Sequence, residues 1–244
     1  MPALEMAGTV VGQATVAGGR QLLVVSAPEV APLAGAGQFA LLRAGDGLDP
    51  YLRRALPFAR LSGDLASFLF LPEDPGLAWL ARRRVGDPVD LIGPLGRGFD
   101  LWRATRHLLL VAGGEPIAPL LAVADRALAE RVSVTLAASE TFLRPLVSMI
   151  PDAVELAPMP AGAPFPIPAE LLLWADQVLA AGPADELCRL LEPARALGAG
   201  RVLCYIQAPI ACGLGWCGSC LTELRRGPRR VCTGGPVFDL SDLC

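Results

Sequence analysis

A chain of 244 residues, 53% of them hydrophobic and 18% charged, can bury a sizeable core, which excludes a disordered polypeptide and leaves room for two compact domains and a short appended module. The formal net charge is -3, with 21 basic residues mostly scattered along the chain; there is no electrostatic footprint for nucleic acid, and the runs Arg82-Arg83-Arg84 and Arg225-Arg226 read as solvated faces. The N-terminus has no basic stretch leading into a long apolar segment, so no signal peptide and a cytoplasmic location are expected.

The first hundred residues are strand-like. Short β-rich runs at Gly8–Val16, Gln21–Ser26, Gln38–Leu42, Leu65–Leu71 and Pro88–Leu91 are separated by Gly, Pro and Asp clusters, the pattern of a small antiparallel barrel or sandwich. From His107 the pattern alternates. Strands are expected at His107–Ala112, Val132–Ala138, Asp176–Ala181 and Arg201–Ile206, with helices at Ile117–Glu130 and Ala184–Leu197, which is the βα repetition of a parallel sheet. The five prolines between Pro158 and Pro168 predict an extended connection. The fold class is therefore α+β multidomain, divided into an antiparallel β-barrel over 1–102, an α/β parallel-sheet domain over 103–200 and a small C-terminal module over 201–244.

The uncharged stretch Val202–Thr222 contains Pro209, three glycines and four cysteines, and such a loop would leave backbone groups unpaired in lipid, so no membrane span is expected. Within it Cys212, Cys217 and Cys220 are spaced C-x4-C-x2-C, and Cys232 follows after eleven intervening residues. This is the plant-type [2Fe–2S] spacing, in which one loop supplies three thiolates and a more distant residue closes the cage. Gly213, Gly215, Gly218 and Ser219 let the backbone wrap closely and aim N–H groups at the sulfurs. Cys212 and Cys217 flank one tight loop and are expected to share one iron, with Cys220 and Cys232 on the other. A structural zinc site is the competing reading, although four-cysteine zinc sites usually pair two C-x2-C knuckles and only one is present. Cys188 and Cys204 read as small core residues and Cys244 as a terminal thiol. His107, the only histidine, heads an apolar strand and reads as structural. No Ser/His/Asp set, paired carboxylates or other catalytic constellation is visible.

The cysteine segment followed by Thr233-Gly234-Gly235-Pro236-Val237-Phe238 resembles the C-terminal part of the electron-transfer subunit family of dihydroorotate dehydrogenase B. The likeness continues through Gly37-Gln38-Phe39, Asp49-Pro50 to Arg54, Gly86-Asp87, Gly93-Pro94-Leu95-Gly96-Arg97-Gly98-Phe99, Ala112-Gly113-Gly114 and Gly182-Pro183. The resemblance implies a ferredoxin-reductase-like architecture: an FAD-binding barrel, a nucleotide-binding-like domain, a cluster near the contact with a flavin-containing catalytic subunit, and a heterotetramer. Related subunits serve NADH-dependent ferredoxin:NADP oxidoreductases and some hydrogenases. A flavin also makes chemical sense, because nicotinamide gives two electrons and an iron–sulfur cluster takes one at a time.

By the same resemblance Arg54-Ala55-Leu56-Pro57 occupies the place of an R-P-x-S flavin motif, and Gly76-Leu77 that of a second phosphate-side element. Arg54 suits a pyrophosphate, with Arg53 as the alternative register. Pro57 and Leu77 lack the hydroxyls the family usually offers there. Gly93, Gly96, Gly98 and Phe99 form a glycine-rich turn expected to approach the cofactor. The nucleotide loop departs from the family: Glu115-Pro116 stand where a glycine would let the backbone reach a pyrophosphate, and Ala181 replaces the usual cysteine, so NAD(H) binding is expected to be weak or lost. Leu214, Trp216 and Leu221 are candidate partner contacts. A module of another class, a four-cysteine metal site that only stabilises a partner-binding tail, has the same cysteine count.

Overall fold

The computed structural model describes residues 3–160, 167–197 and 202–244. Its first half is a closed six-stranded barrel made of β1 (Leu4–Thr15), β2 (Gln21–Ser26), β3 (Phe39–Leu42), β4 (Arg54–Ser62), β5 (Leu65–Phe70) and, after the helix α1 (Pro75–Ala81), β6 (Pro88–Leu95). The order around the barrel is β1-β2-β5-β4-β3-β6, so no strand edge is left open. Five of these strands coincide with the sequence expectation, and β4 is new. Pro57 argues against a strand because it cannot donate to a ladder. Here the pairing of β4 with β5 begins at Phe58, so the missing N–H costs no bond on that side. Phe58 and Phe68, fully buried with ring centroids 5.4 Å apart, fill the barrel with Val10, Leu23 and Leu91.

The second half is built on β7 (His107–Ala112), α2 (Ala118–Ala129), β8 (Ser133–Ser139), the short α3 (Glu140–Leu143), β9 (Val154–Met159), α4 (Ala169–Trp174), β10 (Gln177–Ala181), α5 (Ala184–Leu190), α6 (Glu192–Ala196) and β11 (Val202–Tyr205). The strands β11-β10-β7-β8-β9 run parallel. The central runs of β7, β10 and β11 are apolar and buried because both sheet faces are covered there, whereas the edge strand β9 is only partly buried. The expected helix over Ala184–Leu197 is broken at Leu191, whose φ and ψ of -102° and 10° are not helical, and Pro193 opens the second piece. The proline-rich connection begins with strand β9 instead of extended coil; residues 161–166 of it lie outside the described residues.

After β11 the chain leaves the sheet, forms the cysteine loop and the hairpin β12 (Leu221–Leu224) and β13 (Gly227–Arg230), turns through α7 (Val231–Gly234) and returns as β14 (Val237–Asp239) before α8 (Leu240–Leu243). β14 pairs antiparallel with β11 at the sheet edge. The cysteine segment is therefore an excursion between two strands of the larger sheet. This return corrects one reading: Cys188 and Cys244 are not a core residue and a loose terminal thiol but are joined in a disulfide across 56 residues, Cα–Cα 5.9 Å. Only the return of the chain to α5 brings them together. Cys204 is a fully buried free thiol, as expected.

Beside the barrel's own interior, part of its outer face shares a core with the sheet. α2 packs between β4 and the sheet, and its buried residues surround Ala59 and Leu69 of the barrel. Arg60 reaches Asp125 of α2 and the carbonyl of Met149. Gln177, 1% exposed, organises the crossing from barrel to sheet: its Nε2 donates to the carbonyl of Asp100 at 2.6 Å and its Oε1 accepts from Trp102 N at 3.1 Å and Thr105 Oγ1 at 3.0 Å. His107 stacks on Trp174 and lies 3.7 Å from Asp176 through Nδ1, a structural setting. Among the described residues no helix is long and apolar enough to cross a membrane.

Candidate cofactor sites

The cysteine loop is pressed onto the barrel. A Cβ added to Gly213 would lie 2.8 Å from Leu41 Cδ1 and 2.9 Å from Leu95 Cδ1, and its φ of +69° is one that side chains disfavour, so only glycine lets the loop sit this close. The four cysteines come together as two pairs. Cys212 and Cys217 share hydrogen bonds at the solvent side. Cys220 and Cys232, 2% and 1% exposed, lie at the core side, where Cys232 N donates to Cys220 Sγ at 3.5 Å. Leu214 N donates to Cys212 Sγ at 3.4 Å, the N–H orientation that the glycines of the loop predict.

The electrostatics divide the same way. The backbone N–H of Cys217, with that of Leu214, draws the Cys212 thiol down to about 6. The Ser219 hydroxyl lowers Cys217. Burial pushes Cys232 up to about 11, and the adjacent Cys220 thiol adds to it. Donors thus favour the thiolate at Cys212 and Cys217, whereas burial favours the neutral thiol at Cys232. Among the described residues no three or more His, Cys, Asp or Glu side chains are already gathered around one ion-sized point.

A cavity of about 580 Å³ lies beside this loop. One wall is Leu52 to Pro57 at the start of β4, a second is Leu69 to Leu71 with Leu77, and a third is Gln207 to Ala211 with Ser219 of the cysteine loop. Glu115 and Pro116 close the remaining side. Arg54 stands at its rim, where Nε contacts Asp74 Oδ1 and Oδ2 at 2.9 and 3.0 Å and Nη1 donates to the carbonyl of Leu52 at 2.6 Å. Asp74 caps α1, accepting from Gly76 N at 2.7 Å and Leu77 N at 3.0 Å. Partial burial opposes its ionisation, but the Arg54 guanidinium and these N–H groups outweigh that and hold the carboxyl below its ordinary range. A Cβ on Gly76 would lie 2.7 Å from Arg54 Cζ, so Gly76 is the space into which the guanidinium fits.

The two neighbouring arginines, both at the cavity wall, have different partners. Arg53 turns outward to the carbonyl of Asp90 at 3.2 Å and to Glu5 at 2.7 Å, whereas Arg54 faces the capped helix. The Gly93–Phe99 turn packs against other parts of the chain. None of Gly93, Gly96, Gly98 and Phe99 lines the cavity. Gly96 abuts Gly235 and Pro236, Gly98 meets the carbonyl of Ala36, and Phe99 packs on Gly37, so the turn seats the barrel against the C-terminal segment. Asp74 went unrecognised in the sequence, although an Asp before Pro75 is a helix-start signal.

The nucleotide loop is engaged elsewhere. Glu115 is bonded by Arg20 of the barrel, with Nε to Oε1 at 2.7 Å and Nη2 on the same oxygen. Its carboxylate thus serves a cation of the barrel. A second cavity, about 530 Å³, opens at the carboxyl ends of β7, β8 and β9, where open parallel sheets bind ligands. Its walls include Gly114, Ser139, Thr141, Met159 and Glu186, and no basic side chain among the described residues. Burial raises the Glu186 carboxyl above its usual range.

Residues 208–244 match the family model for the iron–sulfur cluster binding domain of dihydroorotate dehydrogenase B. The electron transfer subunit of dihydroorotate dehydrogenase B (NAD(+)) from Shouchella clausii is 28% identical over 252 residues, 96% of each chain. The one from Clostridium acetobutylicum is 29% identical over 216 residues, 85% of each. The chain is similar to these electron transfer subunits over most of its length. Among solved structures, the NADH-dependent reduced ferredoxin-NADP oxidoreductase gives a TM-score of 0.78 at 20% identity, covering 96% of this chain and 88% of the other. Phthalate dioxygenase reductase gives 0.64 at 13%, covering 98% and 94%. The barrel, the parallel sheet and their order along this chain are those of the ferredoxin-reductase-like fold.

Proposed function

We propose that this protein is the electron-transfer subunit of a flavin-dependent oxidoreductase, moving electrons between FAD, a [2Fe–2S] cluster and a flavin-containing catalytic subunit, a dihydroorotate dehydrogenase of pyrimidine biosynthesis, in a two-plus-two heterotetramer. The observation that carries this is the shared wall: Pro209 to Ala211 and Ser219 of the cysteine loop line the same cavity as Arg54 to Pro57. The apolar side chains of Leu56, Pro57, Leu69 and Leu77 fit a flavin's ring system, and Arg54 fits its pyrophosphate. Cys212, Cys217, Cys220 and Cys232 are the cluster ligands in this reading. When bound, FAD and the cluster supply the exchange between two-electron and one-electron transfer. The chain's own part is to hold the two sites against one wall and to leave Leu214, Trp216 and Leu221 exposed for the partner. In this reading NAD(H) is not the electron source, since the second cavity carries Glu186 and no basic side chain among the described residues, and that cavity and the Arg20–Glu115 pair are both ill suited to a dinucleotide.

Anaerobic purification with flavin, iron and sulfide analysis tests the reading: equimolar FAD with two irons and two sulfides per chain is expected, and one zinc without sulfide contradicts it. Co-expression with the catalytic subunit, followed by dihydroorotate-dependent reduction of the cluster, tests the partner. The structural likeness at TM-score 0.78 favours one second reading, a subunit of a ferredoxin:NADP oxidoreductase, which would show reduction by ferredoxin and not by dihydroorotate.

A further inference from the structure

We propose that the hairpin β12–β13 is an arginine platform that docks an acidic protein face onto the cysteine loop. The inference rests on the electron-transfer reading above and adds the chemistry of the partner's surface. Four arginines, Arg225, Arg226, Arg229 and Arg230, fall within six consecutive residues, in a chain whose formal charge is -3. All four are exposed. Arg226 reaches Asp242 at 3.2 Å, while the side chains of Arg225, Arg229 and Arg230 have no hydrogen-bond or ion-pair partner among the described residues.

The platform is rigid and adjoins the cysteine loop. Leu221 pairs with Arg230 and Thr222 with Arg229 in the hairpin. Leu224 is buried beneath it, Arg225 N donates to Asp242 O at 2.8 Å, and Val231 N to Cys220 O at 3.0 Å. A Cβ on Gly215 would lie 3.6 Å from Arg230 Cδ, so the arginine stem runs along the loop between Cys212 and Cys217. Next to it Trp216 is 86% exposed, Leu214 54% and Leu221 52%. An exposed Trp and leucines beside Arg230, on a hairpin carrying four exposed arginines and one exposed acid, Glu223, have the composition of a protein interface. Concentrating positive charge there on an otherwise acidic chain orients an acidic partner so that it meets the thiolate loop first. The runs read from the sequence as solvated faces thus divide: Arg83 lies over the Trp79 ring at 3.8 Å, whereas the hairpin arginines face outward.

The test uses the full chain carrying its flavin and cluster, reduced photochemically and mixed by stopped flow with either an acidic flavodoxin or a basic cytochrome c. Electron transfer to flavodoxin should slow as ionic strength rises from ~0.01 to ~0.5 M. It should fall about tenfold or more at low salt in Arg225→Glu/Arg229→Glu/Arg230→Glu, while the cytochrome c rate rises. The corresponding triple lysine variant should keep the salt dependence. If the triple glutamate variant does not fold, Arg229→Glu alone and the salt profile of the unmodified protein carry the same test. Equal flavodoxin rates in the charge-reversed and unmodified proteins overturn the proposal. So does a change confined to the cluster's midpoint potential, which would mean that the arginines only balance thiolate charge. Loss of binding to duplex DNA or anionic vesicles with flavodoxin rates unchanged also overturns it. A protein without flavin and cluster absorbance overturns the electron-transfer reading itself, whereas one that reduces both acceptors regardless of hairpin charge overturns the platform alone.

Discussion

Arg20, 8% exposed on the barrel, holds Glu115 of the nucleotide loop through two guanidinium nitrogens. The pair joins the turn before β2 to the segment before α2, where a dinucleotide's phosphates would need free backbone N–H groups. The same guanidinium lies over the Phe142 ring at 5.7 Å. NADH and NADPH are therefore expected to show no micromolar binding by titration calorimetry and no rapid flavin bleaching by stopped flow. Glu115→Gly/Pro116→Gly should gain binding, by about tenfold or more if the lost glycine is the obstacle. Micromolar NADH binding to the unmodified protein would contradict this.

Serine replacements should sort the cysteines. Cys212→Ser, Cys217→Ser, Cys220→Ser and Cys232→Ser should each lose iron and sulfide, whereas Cys188→Ser, Cys204→Ser and Cys244→Ser should retain both. Full iron in Cys220→Ser would remove the proposed ligand set.

The Cys188–Cys244 disulfide closes a loop of 56 residues that contains the whole cysteine segment. Its loss in Cys188→Ser should cost about 2–4 kcal/mol of stability. Thermal unfolding should show the same drop on adding a reductant to the unmodified protein, and no further drop in the variant.

Arg54 depends on Gly76 and Asp74 for its position. Gly76→Ala places a methyl group 2.7 Å from Cζ and should weaken FAD affinity about tenfold in fluorescence titration, since one charge-assisted contact is worth ~1.5–3 kcal/mol. The lowered Asp74 pKa also has a pH signature. A depressed carboxyl contributes stability above its unfolded value of about 3.9 and loses that contribution as pH falls through the folded value. Asp74→Asn should therefore narrow the stability difference between neutral and strongly acidic pH, measured by urea unfolding.

Gln177 satisfies three groups of the crossing segment with one side chain. Gln177→Leu would leave the Trp102 N–H, the Thr105 hydroxyl and the Asp100 carbonyl short of partners, at about 1–3 kcal/mol for each group left unsatisfied. Denaturant unfolding should show a large loss with unchanged iron content.

The sequence by itself determined what depends on local spacing. The short β-rich runs between Gly, Pro and Asp clusters marked five barrel strands, the apolar runs from His107 marked the parallel sheet, and C-x4-C-x2-C with Cys232 has the spacing of a cluster loop, because residue composition and ligand reach are properties of neighbours along the chain. Residues far apart in sequence were settled only by the fold. β14 joins β11 after the long cysteine excursion, which no periodicity announces, and that return is what unites Cys188 with Cys244. Strand β4 survives Pro57 because its ladder with β5 begins one residue later. Arg53 and Arg54 both line the cavity, but Glu5 and Asp90, on other strands, bond the Arg53 guanidinium, while Asp74 bonds that of Arg54. Glu115 reads from sequence only as a replacement in the nucleotide loop, and tertiary structure supplies Arg20, 95 residues away, as the cation that takes it. Ion pairs and cavity walls are decided by which surfaces the closed barrel and the sheet bring together, and that information is in the packing and not in any one segment.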